Sequence, residues 1–66
     1  MDAYTRLDTL LKRIAVSDFS VAAVCARAGT QHSLVSKWRK RQHEPRLSSL
    51  DEMEKALDEL EREALL

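Results

Sequence analysis

One glycine, Gly29, and one proline, Pro45, are the only residues of their kinds in this chain, and that scarcity limits what it can fold into. Hairpins and tight loops draw heavily on both residue types. Leu, Ala, Glu, Arg and Lys dominate the rest, and all favour helices. An all-α fold is expected. With 66 residues there is room for one domain, 1–66, whose core must be small and local.

The apolar spacing divides the chain into helical segments. Tyr4, Leu7, Leu10, Leu11 and Ile14 recur at helical intervals, with Arg6, Asp8, Lys12 and Arg13 between them, which predicts an amphipathic helix. Ser17 to Ser20 breaks the period with residues that favour caps and turns. Ser20 is placed to cap the next helix, with Phe19 as a hydrophobic staple beneath it. The second segment, Val21 to Ala28, has Val21, Val24, Cys25 and Ala28 on one apolar face, and its alanines at 22, 23, 26 and 28 predict close helix approach. Gly29 ends it, as a residue tolerant of the left-handed conformation. A third helix follows at once, capped by Thr30 or Gln31, with Leu34, Val35 and Trp38 inward. Two short helices across a glycine turn predict a helix-turn-helix over 20–39. Pro45 places a loop around 41–47, and Ser49 with Glu52, or Ser48 with Asp51, predicts a capping box for a last helix at about 48–65. Its Leu50, Met53, Leu57, Leu60 and Ala64 step as a heptad seam, of which Leu50, Met53 and Leu57 are expected to close the core while Leu60, Ala64, Leu65 and Leu66 extend past it.

The formal net charge of zero conceals two opposed halves. Between Arg27 and Arg46, six basic residues face only Glu44, a balance of +5. Between Asp51 and Glu63, seven acids face Lys55 and Arg62, a balance of −5. One surface suited to a polyanion and a separate acidic one are expected.

The same residues exclude several classes of function. A lone cysteine forms no internal disulfide, and with no carboxylate at ligand spacing beside His32 or His43 no metal site is expected. Cys25, on an alanine-rich face, reads as a core thiol, and Trp38 reads as core by its spacing from Leu34 and Val35. No apolar run approaches the ~20 residues of a membrane span, and Met1 to Arg6 do not read as a signal peptide, so a cytoplasmic protein is expected. No Ser/His/Asp or Cys/His arrangement, phosphate-cradling glycine loop or paired carboxylates point to an enzyme, and neither a cofactor nor a small-molecule ligand is expected.

A helix presented after a tight turn can enter the major groove, where Gln reads adenine and Arg or Lys reads guanine. On the third helix, Gln31, His32, Ser33, Ser36 and Arg39 are the expected base contacts. Lys37, Lys40, Arg41 and Arg46 are the expected phosphate contacts.

From Ser20 to about Leu57 the chain resembles the phage repressor and Cro-like (XRE-type) helix-turn-helix family. The matching features, in order, are Ser20, Val24-Cys25, Gly29, Val35, Trp38, Arg39-Lys40-Arg41, Pro45-Arg46-Leu47 and Leu50, with Val35-Ser36-Lys37-Trp38 nearest to family usage. The chain departs at Val21, where members often carry a glutamine, and at Cys25, where many carry an alanine. The resemblance implies a compact domain of four helices, with one longer terminal helix standing where larger relatives have a fifth. It implies a transcriptional regulator, a repressor of phage or prophage origin, that binds palindromic double-stranded DNA as a homodimer. Leu57, Leu60, Ala64 and Leu65 on the seam are the expected dimer interface. The alternative is an antitoxin or adaptor module whose C-terminal helix binds another protein.

Overall fold

The chain folds as four helices in a computed structural model that describes residues 2–66: α1 (Ala3–Ala15), α2 (Val21–Ala28), α3 (His32–Arg39) and α4 (Leu47–Ala64). Asp2 opens α1, its carboxylate accepting a hydrogen bond from the Thr5 amide at 2.7 Å. Ser20 opens α2 in the same way through the Ala23 amide. Each satisfies one of the amides that a helix start leaves without a partner. Between them the Ser17 hydroxyl donates to the Ile14 carbonyl and accepts from the Phe19 amide, which fixes the turn that tucks Phe19 against the core.

Leu7, Leu10 and Ile14 of α1, Val24 and Cys25 of α2, Val35 and Trp38 of α3, and Leu50, Met53, Ala56 and Leu57 of α4 form one buried core. Both Cys25 and Trp38 lie in it, as their spacing predicts. No charged or polar side chain is buried among the described residues, so removal of apolar surface from water is the dominant favourable contribution to this core.

Three expectations need correction. The capping box at Ser49 and Glu52 does not form: the Arg46 carbonyl already accepts from the Leu50 amide at 3.1 Å, so α4 begins at Leu47 and both serines lie within its first turn. Buried Pro45 directs the chain into that earlier start. Ala22, Ala23 and Ala26 are exposed, and of the four alanines only Ala28 packs against the core; the buried small residues are Ala3, Cys25 and Ala56. Finally, the heptad seam of α4 is occupied from within the chain as far as Leu57. Arg6 bonds Asp51 and Arg13 bonds Asp58, a constant separation of 45 residues, so α1 and α4 run side by side in the same direction. Leu57 is fully buried in the core and unavailable as a dimer contact.

Candidate nucleic-acid interface

The turn between α2 and α3 depends on how α2 ends. Gly29 takes φ +74°, and the amides of Gly29 and Thr30 donate to the carbonyls of Ala26 and Cys25. This left-handed closure reverses the chain and lets α3 begin within three residues. Gln31 caps α3 through its backbone alone, so its side chain is not engaged in capping.

Along α3 the buried face is Val35 and Trp38, flanked by half-buried Leu34. Gln31, His32, Ser33, Lys37 and Arg39 are exposed, and Ser36 is half-buried, so the expected base-reading residues share the outer side of one helix. Ser36, Arg39 and Lys40 line a shallow depression there. Arg39 also borders the cleft where the end of α1 meets Ser20 and Val21. It stands at the trailing end of α3, on the flank facing the start of α2. Arg46 lies on the opposite flank, beside Leu34, Trp38, His43 and Glu44.

The charges are distributed differently from the two halves expected. Arg6 bridges Asp51 (2.7 Å) and Glu54 (3.1 Å), Arg13 bridges Asp58 and Glu61 (2.7 Å), and Arg27 bridges Glu59 (3.5 Å) and Glu63. Six of the seven acids between Asp51 and Glu63 are thus engaged by three arginines, leaving a reduced negative excess rather than a bare acidic surface. The hydrogen bond from Arg27 holds the Glu63 carboxyl below the ordinary carboxylate range. Arg27 itself is withdrawn from the basic half.

Arg41 is withdrawn too. It has φ +62°, the only non-glycine residue with positive φ among those described. The Arg41 and Gln42 amides donate to the Trp38 and Lys37 carbonyls, which is the closure Gly29 makes at the end of α2. Its guanidinium lies 4.3 Å from the centre of the Tyr4 ring and 3.3 Å from the Asp8 carboxylate. A side chain in the left-handed region costs about 1–2 kcal/mol. An exposed cation–π contact returns about 0.5–1 kcal/mol and an exposed ion pair about 0–1. The contacts on α1 are therefore of the size needed to hold the strained turn.

Among the described residues, Lys37, Arg39, Lys40 and Arg46 have no carboxylate partner, and they are four of the seven cations left unpaired. All four lie on α3 or in the residues just after it. The pattern was partly readable beforehand: Asp51 and Glu54 repeat seven residues later as Asp58 and Glu61, matching Arg6 and Arg13. Nothing in the sequence marked Arg41 as a left-handed residue. His32 and His43 are exposed, and no group of three metal-ligating side chains gathers among the described residues. No helix there is long and apolar enough to cross a membrane.

Exposed apolar surface collects at the far end of α4. Val16 is 87% exposed, Leu65 88% and Leu66 fully exposed. Val16 and Leu65 border a groove with Phe19, Glu61 and Ala64, while Leu60 is half-buried against the core. No protein-family model, curated protein or solved structure matches the chain.

Proposed function

We propose that this chain is a sequence-specific DNA-binding regulator, a repressor of the repressor/Cro kind acting in the cytoplasm, that inserts α3 into the major groove. The observation that carries this reading is the partition of charge. Arg6, Arg13 and Arg27 are taken up by carboxylates, while Lys37, Arg39, Lys40 and Arg46 stay free around a helix whose outer side is Gln31, His32, Ser33 and Ser36. Free cations supply affinity through phosphate neutralisation, and the polar side chains between them supply sequence choice. The domain has no enzymatic role in this reading. A homodimer would set two recognition helices one helical turn apart on a palindromic operator. Its contacts would come from Leu60, Ala64 and Leu65, joined by Val16 and Leu66.

That same exposed end favours a second reading, an antitoxin or adaptor module whose α4 terminus covers itself with a different protein. Selection from random duplexes at two salt concentrations, alongside sedimentation of the free protein, separates the two. A selected palindrome, a dimer, and loss of selected binding in Gln31→Ala with Lys37→Ala support the operator reading. Weak, sequence-blind binding by a monomer sinks it and favours the partner-binding module.

A further inference from the structure

Arg41 sits in the middle of the basic run, where its charge alone marks it as a phosphate ligand, yet its geometry is that of a clamp. Its backbone occupies the left-handed region, which its side chain disfavours. That backbone closes the end of α3 through the Arg41 and Gln42 amides. Its guanidinium turns back onto α1, over the Tyr4 ring and against Asp8. Of the cations from Lys37 to Arg46, it is the only one with an internal carboxylate partner.

We propose that Arg41 is a positioning residue for DNA recognition: clamped between Tyr4 and Asp8 on α1, it fixes the turn that carries Lys40 and Arg46 and does not itself grip phosphate. This rests on the DNA-binding reading above. The clamp joins two parts of the chain 33 residues apart, Asp8 and Arg41, and sets the basic loop against the body of the domain. Lys40 immediately precedes the strained residue, and Arg46 follows the buried Pro45, so freeing the turn lets both cations drift from their register with α3. Glycine at 41 would keep the left-handed backbone and remove only the clamp.

The test is the salt dependence of binding to a fixed duplex, measured well below the melting temperature for the wild-type protein, Lys40→Ala, Arg46→Ala, Arg41→Gly, Tyr4→Leu and Asp8→Asn. A lost phosphate contact lowers the slope of log K against log salt by about 0.9. Lys40→Ala and Arg46→Ala should each do so. Arg41→Gly and Tyr4→Leu should weaken binding alike, by roughly 3- to 10-fold, with equal and partial drops in slope as Lys40 and Arg46 lose part of their phosphate contact, and Asp8→Asn should do so less. Arg46→Ala should also cost less affinity in the Arg41→Gly background than alone, a coupling that lost stability by itself does not create. A slope drop of about 0.9 in Arg41→Gly with Tyr4→Leu silent would show a phosphate ligand and overturn the inference while leaving DNA binding intact. Unchanged affinity in both variants would overturn it equally. Absence of binding by the wild-type protein would instead remove the DNA reading itself, and this inference with it.

Discussion

Gly29 and Arg41 occupy equivalent left-handed positions at the ends of successive helices, and they show how differently single residues reveal themselves. Gly29 was legible because glycine is the residue that takes this backbone without strain. Arg41 was not, because its conformation is held by Tyr4 and Asp8, which lie in a helix far away in sequence. A Cβ added at Gly29 would meet nothing within 4 Å. Gly29→Ala should therefore destabilise by backbone strain alone, about 1 kcal/mol, read as a lower urea midpoint with unchanged slope; a loss of several kcal/mol would mean that the turn packs more tightly than it does here. Cys25 was legible as a core residue by its apolar face. Burial pushes its thiol pKa up, so it stays protonated near neutral pH. A thiol reagent should label it only as fast as the domain opens, and the rate should rise with urea. Rapid labelling in the native state would contradict its burial.

At the scale of helices, the apolar stripe of α4 was visible in the sequence, but periodicity cannot say which surface meets a stripe. A seam stepping by three and four serves a second copy or another helix of the same chain equally well. Here α2 and α1 together take it as far as Leu57, and Arg6 and Arg13 mark the pairing with α1 by spanning two carboxylates each. The failed capping box has a related cause: two adjacent serines offered alternative starts, and buried Pro45 with the Arg46–Leu50 hydrogen bond set a start earlier than either. These ion pairs are exposed, so each contributes little, and salt should weaken them. Two carboxyls at the ends of helices are held below their ordinary values, Asp2 by the Thr5 amide and Glu63 by Arg27. A depressed folded-state pKa gives stabilisation that is complete above the unfolded value, near 4, and lost as pH falls through the folded one. The urea midpoint should thus decline below about pH 4.5, and Arg27→Ala should flatten that decline. An identical pH profile in Arg27→Ala would mean that the pair does not persist in solution.

For the whole molecule, the all-helical architecture and most of the core were legible, Leu50, Met53 and Leu57 of α4 included; what the heptad seam left ambiguous was Leu57, which it offered to the core and to a second copy alike. The boundary between core and free surface on α4 falls after Leu57 and through half-buried Leu60: beyond it the turn after α1 only borders Ala64 and Leu65 across an open groove and leaves them exposed. Two substitutions test it. Leu57→Ala should cost about 2–5 kcal/mol of folding stability. Leu65→Ser should leave the folding of an isolated domain nearly unchanged and, in the homodimer reading, raise the dissociation constant seen by sedimentation. Equal effects of the two on stability would move the boundary to the end of the helix.

The parallel pairing of α1 with α4 also governs when this domain can come into being. A ribosome delivers α1, α2 and α3 first, and the faces of α1 and α2 that pack on α4 emerge before that helix has been made. Nascent chains stopped short of α4 should remain open to proteases and chaperones, and protection should arrive late and in a single step, once Leu50 to Leu57 have cleared the exit tunnel.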